Sequence, residues 1–106
     1  MKKILVLGSG RVSRPCVHYL GGLEGTVVHV AASSGRNLGK TVAGIPGAKT
    51  HIFDAKDHGG KLIDEVGPDI VVNLLPPAFM APIARECLKK RIPLVHASYL
   101  DQEVRN

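Results

Sequence analysis

The sequence has no tryptophan, and aromatics make up only 4% of it. That argues against a single-strand nucleic-acid binder built on aromatic stacking platforms. Cysteine is nearly as scarce. Cys16 and Cys87 cannot make a disulfide scaffold, and neither stands in a CxxC pair, so zinc and thioredoxin-type readings fail. Both fall at apolar helical positions, where a buried, inert thiol is expected. Long hydrophobic runs are missing too. Ile4–Leu7 follows Lys2-Lys3 but is far shorter than the roughly 7–15 residues of a secretory core. Nothing approaches the ~18 apolar residues of a membrane span. The expectation is a soluble, cytoplasmic chain. Acidic residues are outnumbered, 9 against 14 basic, and the resulting charge of +5 suits an anionic ligand. At 106 residues and 44% hydrophobic content the chain can form one core, and a two-domain enzyme is excluded.

What is present is an alternation of apolar runs and helical periodicity. Lys3–Leu7 reads as a buried strand ended by Gly8-Ser9-Gly10. Val12, Cys16, Tyr19, Leu20 and Leu23 recur at helical spacing, so a helix is expected from Arg11 to about Leu20, stopped by Gly21-Gly22. Pro15 is tolerable because it falls near the first turn. Thr26–Ala31, Lys49–Phe53, Asp69–Leu75 and Pro93–His96 read as four further strands. Between them, Asn37 to Ala43, Gly59–Val66 and a segment opened by Pro82 read as helices. In the last, Ile83, Cys87 and Leu88 share a face, and Lys89-Lys90-Arg91 suit the negative end of the helix dipole. Ser98 to Asn106 could open one more helix. Continuous apolar strands joined by helices imply a parallel sheet covered on both faces. The fold expected is a doubly wound α/β domain, Rossmann-like, with five strands in the order 3-2-1-4-5.

Gly8-Ser9-Gly10-Arg11-Val12-Ser13 reads GxGxxS, between a strand and a helix, as the dinucleotide fingerprint requires. Gly8 permits the tight turn, and Gly10 lets the backbone approach a pyrophosphate. The free N–H groups of the first helical turn favour that anion. Ser13 replaces the third glycine, a mild change of size. Two glycines after a strand can also be a plain turn, and the surrounding strand–helix–strand order favours the nucleotide reading.

An NAD-selecting carboxylate belongs roughly 20 residues further on, at the end of the second strand. Ala31-Ala32-Ser33-Ser34-Gly35-Arg36 has none. The hydroxyls of Ser33 and Ser34 and the guanidinium of Arg36 can accept a 2′-phosphate, so NADP is favoured over NAD. The competing reading makes the serines a helix N-cap and leaves Arg36 solvated. Asp54 ends the third strand near an adenine pocket, where a turn role competes. Leu75 and Pro76 end the fourth strand, where ligands of doubly wound sheets lie. His96, Ser98 and Tyr99 end the fifth and could reach the nicotinamide. His18, His29, His51 and His58 show no metal-ligand spacing. GxSxG and HExxH are both missing. No metal site and no catalytic acid or base is assigned.

Lys3-Ile4-Leu5-Val6-Leu7-Gly8-Ser9-Gly10 with Pro15, then Asp69–Pro76, then Val95-His96-Ala97-Ser98-Tyr99-Leu100 resemble the N-terminal NAD(P)-binding domain of saccharopine dehydrogenase-type proteins. The likeness spans nearly the whole chain in register. It implies an oxidoreductase on the lysine–aminoadipate route, moving hydride between nicotinamide and the secondary amine, or imine, of a saccharopine-type substrate. It places Gly8, Ser9, Gly10, Arg11 and Val12 at the pyrophosphate, and Ser33 and Ser34 at the adenosine ribose or its phosphate. Asp54 goes to the adenine side, Leu75 and Pro76 to the cofactor path, and Ser98 and Tyr99 near the substrate. Asn73 and Pro77 depart from the serine and tyrosine often found there, which weakens the substrate assignment. Such proteins continue into a large substrate domain, so residues 1–106 are expected to be the cofactor-binding part of a longer protein. Alone, the chain is expected to bind cofactor without turnover. The alternative is a stand-alone, non-catalytic nucleotide-binding or regulatory module. A nucleic-acid partner is disfavoured because the cations scatter along the chain. Pairing of two chains stays open.

Overall fold

The structure is a computed structural model and describes residues 2–8, 13–32, 38–45, 47–52, 60–74 and 80–96. Strands and helices alternate from the start: β1 (Lys2–Leu7), α1 (Ser13–Gly21), β2 (Thr26–Ala32), α2 (Leu38–Val42), β3 (Lys49–Ile52), α3 (Gly60–Val66), β4 (Ile70–Asn73), α4 (Met80–Lys89) and β5 (Leu94–His96). The strands form one sheet in the order β3-β2-β1-β4-β5. Every pairing is parallel. This is the doubly wound topology expected from the alternation of apolar runs with helical segments.

Successive residues of a strand point to opposite faces, and each face meets its own helices. Leu5, Leu7, Ala31 and Val71 pack with Leu62, Ile63 and Val66 of α3 and with Ile83 and Cys87 of α4. On the other face, Ile4, Val6, Val28, Val30, Ala32 and Val72 pack with Val17 of α1 and Leu38 of α2. Burial is nearly complete over the later residues of β1, β2 and β4, while Lys2 and Lys3 at the start of β1 are exposed. It thins at the edge strand β3, where Lys49, Thr50 and Ile52 are exposed. Charged and polar side chains on an edge discourage pairing with a further strand.

Two helical faces differ from the sequence-based expectation. On α1 the buried residue is Val17, flanked by the partly buried Cys16 and Leu20, whereas Tyr19 is 72% exposed. At about 100° per residue, Tyr19 lies roughly 200° round from Val17, beyond the covered stripe. On α4, Ile83 and Cys87 form the seam and Leu88 is 79% exposed, one step past it.

The helix ends show local chemistry. Pro15 is the third residue of α1, inside the first turn, where its missing N–H costs no helical bond. Gly21 closes α1 where a Cβ would stand 2.5 Å from Ile45 Cγ2, so α1 ends flush against the α2–β3 connection. The Thr26 hydroxyl lies 2.9 Å from Leu20 O and 2.6 Å from Leu23 O, and its one hydrogen adds to the backbone bonds that close the α1–β2 turn. Past α4, Ile92 N donates to Cys87 O and Arg91 N to Leu88 O, with Arg91 at φ 56°. That is a Schellman cap with arginine in the left-handed position that glycine usually takes. Lys90 Nζ donates to Asp64 Oδ1 at 2.8 Å and ties α4 to α3. Asp69 clasps the start of β1: its carboxylate accepts from Lys3 N and its N–H donates to Lys3 O, both at 2.8 Å.

Candidate functional site

The sheet reverses its winding between β1 and β4, because β2 and β3 lie to one side of β1 and β4 and β5 to the other. Ligands of such sheets lie beyond the strand C-termini at this point. Here the point is built from Leu7, Gly8, Asn73 and Leu74. Leu74 N donates to Leu7 O at 2.9 Å, and Gly8 N donates to Ala31 O at 2.7 Å, so β1, β2 and β4 end together. Gly8 then turns the chain at φ +116°, a conformation closed to residues with a Cβ. A Cβ there would meet the Leu74 carbonyl carbon at 3.4 Å. The positive φ, more than the space around it, therefore calls for glycine between the ends of β1 and β4. That is the form a backbone needs to approach a pyrophosphate closely.

Asn73 lies in register with Leu7 on one side and His96 on the other. It is 1% exposed, a buried polar residue at the centre of the rim. The sequence reading noted Asn73 only as a departure from a family pattern. Its place opposite Leu7 became visible with the β1–β4 register.

Of the residues placed at the cofactor or substrate from sequence, the structure describes Gly8 and the backbone of His96, the last residue of β5. Ser9, Gly10, Arg11, Val12, Ser33, Ser34, Arg36, Asp54, Leu75, Pro76, Ser98 and Tyr99 lie outside the described residues. Their neighbours in the chain are nevertheless placed. Leu7, Ala32, Ile52, Asn73 and His96 are the last residues of five parallel strands. Each candidate follows one of those ends by no more than five residues.

Among the described residues, no group of three or more His, Cys, Asp or Glu side chains could hold a metal ion. Two histidines do meet away from the rim. His29 Nδ1 and His51 Nε2 are 2.8 Å apart, with ring centroids 5.1 Å apart and planes at 14°. Their separation of 22 residues gave no sequence signal; the parallel register of β2 on β3 brings them together. Burial, then the charges of His51, Lys3 and Lys49, push the His29 pKa below its ordinary 6.5. Burial raises the thiols of Cys16 and Cys87, as befits packing residues.

A strand, a glycine turn of positive φ and a helix at the switch point of a parallel sheet define a nucleotide-binding doubly wound domain. The saccharopine dehydrogenase NADP binding domain family matches residues 4–106, and the chain belongs to that family. The alpha-aminoadipic semialdehyde synthase of Arabidopsis thaliana is 31% identical over 94% of this chain and 11% of its own length. The saccharopine dehydrogenase [NADP(+), L-glutamate-forming] of Pyricularia oryzae is 28% identical over 93% of this chain and 22% of its own length. Among solved structures, apo saccharopine dehydrogenase (L-Glu forming) from Saccharomyces cerevisiae superposes with a TM-score of 0.81 at 26% identity. It covers 93% of this chain and 22% of that protein. The chain thus spans between a tenth and a quarter of the relatives it matches. It is an NADP-binding domain of the saccharopine dehydrogenase type.

Proposed function

We propose that residues 1–106 are the cofactor domain of a longer oxidoreductase acting on a saccharopine-type secondary amine or its imine. The observation that carries the cofactor part of this reading is Gly8 at the switch point, with φ +116° and its backbone close against Leu74. The coverage of only 11% and 22% of two relatives supports a separate substrate-binding part. Bound NADP supplies the hydride chemistry, and the protein supplies binding and orientation.

In this reading Gly8, Ser9, Gly10, Arg11 and Val12 hold the pyrophosphate with backbone N–H groups. Ser33, Ser34 and Arg36 accept the 2′-phosphate, and Asp54 faces the adenine. Leu75 and Pro76 line the path of the cofactor along the rim, and Ser98 and Tyr99 stand on the substrate side. Without its substrate-binding part the chain binds NADP and does not turn over. The amino-acid-type substrate, a cytoplasmic location and any pairing of chains belong to the same proposal. Fractionation of tagged protein tests the location.

The test is a titration of Arg36→Ala and the unaltered chain with NADPH and NADH, followed by nicotinamide fluorescence. Loss of a charge-assisted contact to phosphate should weaken NADPH by about tenfold or more and leave NADH nearly unchanged. Equal weakening of both would remove Arg36 from the 2′-phosphate.

A further inference from the structure

The histidine pair on the sheet face has no part in the rim chemistry. His29 and His51 point to the same face as Leu5 and Leu7, because His29 is in register with Leu5 and His51 with Ala31. On that face α3 and α4 cover the middle and far side of the sheet through Leu62, Ile63, Val66, Ile83 and Cys87. Toward the β3 edge the face is polar. His29 is buried and His51 half-buried, with Lys3 on one side and Lys49 on the other.

The geometry allows only one of the two facing nitrogens to carry a hydrogen. With both rings neutral, an N–H of one donates to the bare nitrogen of the other. With one imidazolium the bond persists and becomes charge-assisted. With two, both facing nitrogens carry hydrogens, and two cations stand 2.8 Å apart with no acceptor between them. We propose that His29 and His51 form a proton-operated latch, which fastens the edge strand β3 to β2 through zero or one added proton and releases it at the second.

The surroundings set the direction. The charges acting on His29 are His51 and Lys49 on β3 and Lys3 on β1, all cationic when protonated. Lys3 Nζ is engaged with Val66 O at the end of α3, and the Asp69 carboxylate is held by Lys3 N. The charged residues of α3, Lys61, Asp64 and Glu65, are exposed, and Asp64 is engaged by Lys90. No carboxylate among the described residues is placed to neutralise a second proton. β3 is the element free to respond, being a short edge strand with three of four residues exposed. The latch is independent of what the domain binds.

Amide exchange of the whole chain in a pH series from 7.5 downward until both rings are protonated, expressed as protection factors to remove the intrinsic pH effect, tests it. Nitrogen shifts of the two rings report their protonation in the same samples. Protection of β3 should hold while the pair carries one proton and fall by about tenfold or more as the second arrives, with β1 and β4 unchanged. His29→Gln and His51→Gln each leave one titrating ring facing an amide oxygen that accepts from it in either state. Both variants should keep β3 protected across the series. The proposal is overturned if both rings take protons with β3 still protected. It is equally overturned if the glutamine variants lose protection over the same pH range as the unaltered chain. Should a variant fail to fold, the paired nitrogen and exchange data on the unaltered chain decide alone.

Discussion

At the scale of single residues, Gly8 bears the heaviest demand. Its φ of +116° is strained for any side chain, and a Cβ would enter the crevice beside Leu74. Gly8→Ala should destabilise the domain by about 1–3 kcal/mol, the usual cost of forcing a Cβ into such backbone. It should also weaken NADPH binding beyond what stability explains. Thermal melting and fluorescence titration on the same sample separate the two effects. The thiols make a second case. Cys87 is 2% exposed and Cys16 half-buried, and burial raises the pKa of both. In native protein at neutral pH both should react with a thiol reagent much more slowly than after unfolding. A burst of two fast equivalents would contradict the packing described. Residue types around Gly8 were legible in the sequence because the glycine turn is a local signal. The histidine pair was not, since His29 and His51 are 22 residues apart and meet only through the register of β2 on β3.

At the scale of elements, the cap of α4 offers a gain. Arg91 occupies the left-handed position at φ 56°, which costs a side-chain residue roughly 1–2 kcal/mol relative to its preferred backbone. Arg91→Gly should therefore raise stability, by about 1 kcal/mol after the added entropy of the unfolded glycine, as read in urea denaturation. The seam of α4 gives the opposite sign. Ile83 is 1% exposed against Val71 and Leu5, and Ile83→Ala should cost about 2–5 kcal/mol. Leu88→Ala, at 79% exposure, should change little. The contrast shows why periodicity placed the helices well and their faces less well. Cys87 and Leu88 are adjacent apolar residues, and only the packed sheet tells which of them faces inward. The ends of β1 and β4 were legible to within two residues because Gly8 and Pro76 follow them closely.

His29 gives the sheet edge a pH dependence whose sign follows from its lowered pKa. Below its ordinary value of 6.5, unfolded His29 binds a proton more readily than folded His29. Its contribution to stability is then complete above about pH 6.5. It falls as pH drops through the lowered folded value and levels off below that. Urea midpoints measured from pH 8 to pH 5 should decline over the acid half of that range. His29→Gln should flatten the decline.

At the scale of the whole molecule, the order of elements was legible because parallel strands buried on both faces read as continuous apolar runs, and their spacing leaves room for one helix each. The edge position of β3 followed from the expected order 3-2-1-4-5, which the sheet has. The exposure of Lys49, Thr50 and Ile52 was less legible, because Lys49-Thr50-His51-Ile52 reads as a strand whether or not a helix covers it. The cofactor class could be read from residues at the ends of β1 and β2, and the family to which the chain belongs agrees with it. The substrate could not, since no residue of this sequence has a substrate-binding signature as specific as the glycine turn.

The central claim is that this domain holds NADP across the ends of β1 and β2. Its most direct test is a parallel titration of the chain with NADPH and NADH at neutral pH and fixed salt, read by nicotinamide fluorescence. The account predicts saturable binding of both, with NADPH the tighter. Tighter binding of NADH, or no binding of either at millimolar concentration, would contradict it.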